Sequence, residues 1–149
     1  MKALILGLGN PILTDDGAGI TIAQMIKERH PHLQVIEASE DGLAILDHVV
    51  GYDKLIIIDS IRTEKGRPGD SYKLNLEDLK PAADLSSSHG MDIATAFEIG
   101  RGLGYKMPGY VSIYAVEIKD NTTFGEGCTE EVEERIPFIA QEIVTEEKL

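Results

Sequence analysis

A chain of 149 residues, 42% apolar and 27% charged, has the length and balance of one compact domain and argues against disorder. Its single cysteine, Cys128, excludes an internal disulfide and a four-cysteine zinc site, and suits a reducing cytoplasm. Fourteen basic against 26 acidic residues leave a net charge of −12, a field that repels phosphate backbones and disfavours a nucleic-acid substrate.

In chain order, Lys2 to Leu8 is apolar after its first residue, as a strand buried on both faces should be. Its apolar part is too short for a signal-peptide core, and no run of about 18 apolar residues offers a membrane span. Asp15 or Asp16 can cap a helix running to about Arg29. Leu33 to Ala38 reads as a second strand and Gly42 to Val50 as a short helix. Lys54 to Asp59 is the clearest central strand, four apolar residues ending in a carboxylate. Arg62 to Asp70 is a loop, and Ser71 to Leu76 alternates like an edge strand with one wet face. Ser86 to Gly90 forms a loop before a helix from about Met91 to Leu103. Tyr110 to Ile118 is the last strand. Thr129 can cap a final helix that Pro137 kinks or restarts. Alternation of this kind predicts a three-layer α/β/α domain over residues 1–149, with about five strands.

Ligands of open α/β sheets gather outside the carboxyl ends of the strands. There the sequence delivers Asp15 and Asp16 after the first strand, Asp59 at the end of the third, and His89 before the third helix. Carboxylates with an imidazole suit a divalent nickel, zinc or iron ion that keeps open positions. Each residue also has a plainer reading: Asp15 or Asp16 as a cap, Asp59 as an acceptor for loop amides, His89 as an exposed loop residue. His30, His32 and His48 fall on helix ends or turns and read as surface residues. Cys128 lacks a basic neighbour and reads as a packed thiol, and Glu130 to Glu134 as a solvated helix face. The glycines of Gly7-Leu-Gly-Asn-Pro-Ile12, with Glu37 further on, fit a dinucleotide fingerprint poorly, because Ile12 replaces its third glycine and acids stand where bare amides are needed.

Gly7-Leu-Gly-Asn-Pro-Ile-Leu-Thr-Asp-Asp-Gly-Ala-Gly19 closely resembles the opening motif of the hydrogenase maturation endopeptidases. The resemblance continues through Leu55-Ile-Ile-Ile-Asp-Ser60, Ser88-His-Gly90, Tyr114-Ala-Val-Glu-Ile118 and Gly125-Glu-Gly-Cys-Thr-Glu130, in the right order over nearly the whole chain. It implies a phosphorylase/hydrolase-like fold with a five-stranded, mostly parallel sheet in which Ser71 to Leu76 is the one antiparallel strand, and an endopeptidase that clips the C-terminal extension from the large-subunit precursor of nickel–iron hydrogenase. It also implies that Asp16, Asp59 and His89 meet nickel carried by that precursor. Where many relatives carry an aspartate after the second strand, this chain offers Glu37, with Asp41 as the other candidate acid. The opening Gly-Leu-Gly-Asn-Pro is shared with peptidyl-tRNA hydrolases, but their following tyrosine and Thr-Arg-His-Asn stretch is absent. A non-catalytic nucleotide- or metal-binding module is the alternative of another class.

Overall fold

The computed structural model describes residues 1–39, 42–78 and 89–149. Five strands form one sheet in the order β2-β1-β3-β5-β4: β1 Ala3–Leu8, β2 Gln34–Ala38, β3 Lys54–Ile61, β4 Ser71–Leu74 and β5 Tyr110–Glu117. The first four in that order are parallel, and β4 runs antiparallel along β5 at the edge, as the alternation of its side chains predicts. Among the described residues five α-helices cover the sheet: α1 Ala18–Arg29, α2 Leu46–Val49, α3 His89–Gly102, α4 Glu130–Glu133 and α5 Ile136–Glu146. None of the described helices is long and apolar enough to cross a membrane.

Continuous apolar runs in β1 and β3 follow from burial on both faces. Ile56 and Ile58 pack with Ile22, Ala23 and Ile26 of α1 and with Ile139 and Ile143 of α5. Leu55 and Ile57 face the other way, against Ile45, Val49 of α2, and Ile93 and Phe97 of α3. Helices therefore lie on both faces, which makes the three layers.

The local expectations need three corrections. The segment 42–50 divides into a 3₁₀ turn, Gly42–Ile45, and the single-turn α2. Neither Asp15 nor Asp16 caps α1: a 3₁₀ turn, Thr14–Gly17, precedes the helix, whose N-cap is Gly17 without a side-chain bond. Thr129 stands at the N-cap of α4 but makes no side-chain cap, because its hydroxyl is drawn to Asp15. Pro137 restarts the chain as α5, in the first turn where its missing amide costs nothing.

Glu147, just past α5, is buried beneath the amino ends of β3 and β5. It accepts hydrogen bonds from Tyr114 Oη (2.7 Å) and Tyr110 Oη (3.3 Å) and pairs with Lys54 and Lys73. Burial alone would raise this carboxyl, but the bonds from Tyr114, Tyr110, Ser112 and Lys54 prevail and hold it at about 2. A depressed carboxyl stabilises the fold fully above the unfolded value near 4.5 and loses that contribution as pH falls towards 2. The window corresponds to about 3 kcal/mol. Glu147→Gln should accordingly be less stable than the parent at pH 6, with the gap closing between about pH 4.5 and 2 in urea titrations.

Candidate functional site

The turn after β1 is built on Gly9, whose φ of +146° few side chains tolerate; a Cβ there would strike the carbonyl oxygen of Asp16. This tight return lays the 3₁₀ turn across the carboxyl end of the sheet. Gly19 then lets α1 start directly over the strands, since a Cβ would meet the carbonyl oxygens of Ile58 and of Leu8, the latter at 2.7 Å.

Asp16 is only 7% exposed. Its Oδ2 accepts the Asn10 amide at 3.0 Å and its Oδ1 accepts the Ser60 hydroxyl at 3.0 Å. The Ser60 amide donates in turn to Asp59 Oδ1 at 2.8 Å. Asp59 and Ser60 are buried on the last turn of β3 before its end at Ile61, beside Ala115 and Val116 of β5. One serine thus connects both carboxylates, its hydroxyl reaching one and its amide the other. β3 runs two residues past the predicted end, which is what brings this serine into the sheet.

His89 begins α3. The far end of that helix lies by the amino ends of the strands, where Gly100 abuts Leu46 and Met107. The start of α3 therefore lies towards the carboxyl rim, on the face that Asp59 shares with Leu55 and Ile57. The imidazole of His89 is outside the described side chains, as are Asp41 and the loop 86–88. Among the described residues no three His, Cys, Asp or Glu side chains converge for a metal ion.

The other carboxylates take different places. Glu37 stands beside Gly7 in the sheet register and lines an open groove with Gln24, Lys27, Glu28 and Val35, on the α1 face of edge strand β2. Asp15, fully buried, is a structural tie. Its Oδ2 accepts the amides of Lys119 and Asp120, both at 2.9 Å, and its Oδ1 accepts the Thr129 amide at 2.6 Å. The two aspartates therefore divide the work, one locking loops and the other facing Ser60.

Cys128 is half-buried against the core. Burial, with Asp15 and Glu133 nearby, pushes its thiol up to about 12, so no thiolate forms near neutrality. Glu130, Glu131, Glu133 and Glu134 are exposed, as the sequence predicts, and Glu131 pairs with Lys119 at 2.7 Å. His32 is exposed, whereas His30 and His48 are half-buried.

Sequence reasoning gave no role to Ser60 or Glu117. Glu117 is buried on the Asp59 face of β5 and binds the Thr63 amide (2.7 Å), the Thr63 hydroxyl (2.6 Å) and Tyr72 Oη (3.1 Å), so it anchors the loop leaving β3. A charged residue ending an apolar strand was the available signal.

Residues 20–146 match the family model described as hydrogenase maturation protease. The chain is 29% identical over 109 residues to the Hydrogenase 2 maturation protease of Escherichia coli K12, covering 70% of this chain and 66% of that one. It is 24% identical over 142 residues to the hydrogenase expression/formation protein HupD of Thiocapsa roseopersicina, covering 91% and 62%. The chain thus spans about two thirds of the length of these curated relatives. Among solved structures, the maturating endopeptidase HybD of E. coli superimposes with a TM-score of 0.82 at 24% identity, over 99% of this chain and 93% of that one. HybD of Thermococcus kodakarensis, a [NiFe] hydrogenase maturation protease, gives 0.77 at 25% identity over 98% of both chains. These matches do not favour a peptidyl-tRNA hydrolase. A family model matched over most of the length, on a fold shared with HybD, makes this chain a member of the hydrogenase maturation protease family.

Proposed function

We propose that the chain is an endopeptidase of the cytoplasm that removes the C-terminal extension of a nickel–iron hydrogenase large-subunit precursor after nickel insertion. The observation that carries this reading is the hydrogen-bonded chain Asp16–Ser60–Asp59 at the carboxyl rim of a maturation-protease fold. Nickel is cargo of the substrate here. Asp16, Asp59 and His89 meet it, and two carboxylates with one imidazole leave positions open for the precursor's own ligands. An ion shared in this way would polarise the carbonyl of the bond to be cut or activate water; in the cleavage water adds to the carbonyl carbon, the C–N bond breaks, and the departing amine takes a proton. Glu37 faces its own groove and is not a ligand in this reading; it and Asp41 are the two candidate acids for the cleavage step. Cleavage then waits for nickel, which makes the protease a checkpoint.

The test mixes the purified protein with nickel-loaded and nickel-free precursor and follows intact mass. A lighter large subunit is expected from the loaded form alone. Equal trimming of both forms overturns the checkpoint, and no trimming of either overturns the activity. In the same assay, Glu37→Gln slows cleavage if Glu37 activates water, and an unchanged rate removes it from the mechanism.

A further inference from the structure

The loop 10–14 and the loop 119–129 are welded into one ridge above the site. Leu13 bridges Gly125 in parallel: the Gly125 amide donates to Ile12 O at 2.8 Å and the Thr14 amide to Gly125 O at 3.1 Å. Thr14 has a φ of +48°, a conformation rare for a β-branched residue, and its hydroxyl bonds Thr123 O at 2.6 Å. The buried Asp15 carboxylate fixes the base of both loops through Lys119, Asp120 and Thr129.

On this rigid ridge stand two large exposed apolar side chains, Ile12 at 49% and Phe124 at 80% exposure. The Leu13–Gly125 register sets them side by side. A cavity of about 210 Å³ opens next to them, its lining including Pro11, Ile12, Thr14, Ile20 and Glu126. One turn further along, the Asp16 amide bonds Leu13 O at 3.0 Å, so the ridge is continuous with the candidate site. An apolar pair held out by a strained, hydrogen-bonded frame costs stability unless it is covered by something.

Charge selects the occupant. Glu126, exposed, lines the cavity beside Ile12, and each copy of the chain carries −12. Two copies meeting here would bring acid against acid. We propose that the Ile12–Phe124 ridge docks an extended apolar stretch of the precursor, free of acidic residues, beside the bond to be cut. This assignment rests on the maturation-protease reading, and it names a binding surface distinct from the metal contact.

The test compares Ile12→Ser/Phe124→Ser with the parent and with Phe138→Ser, a control that removes another exposed aromatic, from α5. Binding of nickel-loaded precursor is measured by surface plasmon resonance, trimming by intact mass, and oligomeric state by sedimentation. The double variant should weaken Kd and raise KM about tenfold or more, with kcat changed less than about threefold and thermal midpoint unchanged. Phe138→Ser should bind like the parent. An unchanged Kd in the double variant, an equal loss in Phe138→Ser, or no binding by the parent overturns the docking surface. A parent dimer that the double variant dissolves also overturns it, in favour of self-association. If the parent binds precursor through the ridge yet never trims it, docking stands and the endopeptidase reading falls.

Discussion

Asp16→Asn should reduce removal of the precursor tail by about a hundredfold or more while leaving the fold in place, because one neutral amide replaces the anion that the proposed nickel contact requires. The asparagine keeps one carbonyl oxygen for either the Asn10 amide or the Ser60 hydroxyl, the two donors that hold the parent carboxylate. Loss of stability should therefore stay near 1 kcal/mol, the worth of one hydrogen bond. Intact-mass kinetics with nickel-loaded precursor read the first effect and urea unfolding the second. Near-parental trimming would remove Asp16 from the metal contact. Large unfolding would instead make it a structural acid like its neighbour. Ser60→Ala is the companion: it deletes the hydroxyl that steers Asp16 but keeps the amide on Asp59, so a partial loss of rate is expected.

Asp15→Ala should produce the opposite pattern, a collapse of stability that comes before any question of catalysis. Three backbone amides, those of Lys119, Asp120 and Thr129, would lose their acceptor, along with the Thr129 hydroxyl. Each buried donor left alone costs about 1–3 kcal/mol, so a total of roughly 3–5 kcal/mol is expected. For a chain of this length that lowers the thermal midpoint by about 10 °C or more. Asp15→Asn should fare little better. Both oxygens receive backbone N–H groups, so whichever position the amide nitrogen takes, it faces a donor. Calorimetry of the two variants beside Asp16→Asn separates the roles of adjacent, chemically identical residues. Equal stabilities in all three would refute the division.

The strands were legible because burial on both faces leaves an unmistakable record: Leu55 to Ile58 has no polar residue, and β4 alternates because it lies at an edge with one wet side. The rim position of Asp16 and Asp59 was legible as well, since strand direction alone puts those residues at the carboxyl end. What escaped was everything settled by partners distant in sequence. Asp15 looks like a cap from its neighbours, yet its donors lie more than a hundred residues away. Ser60 looks like the first residue of a loop, since a polar side chain ought to end a buried strand; Asp16, 44 residues earlier, supplies the acceptor that allows it inside. Glu147 has no apolar pattern around it to announce its burial, and only the packed fold shows the tyrosines and lysines converging on it. The pairing of Ile12 with Phe124 is of the same kind, set by a bridge between loops far apart along the chain.

Gly19 gives the rim one more property. With room for nothing larger than hydrogen between the start of α1 and the carbonyls of Leu8 and Ile58, the helix is seated hard on the two central strands, and Asp16 hangs three residues upstream of that contact. The backbone of that acid cannot swing outward unless α1 lifts off the sheet, taking Ile22, Ala23 and Ile26 out of the interior with it. The position of the acid is thereby governed by the stiffness of the hydrophobic interior, and a mutation deep beneath α1 can displace it without touching the rim itself.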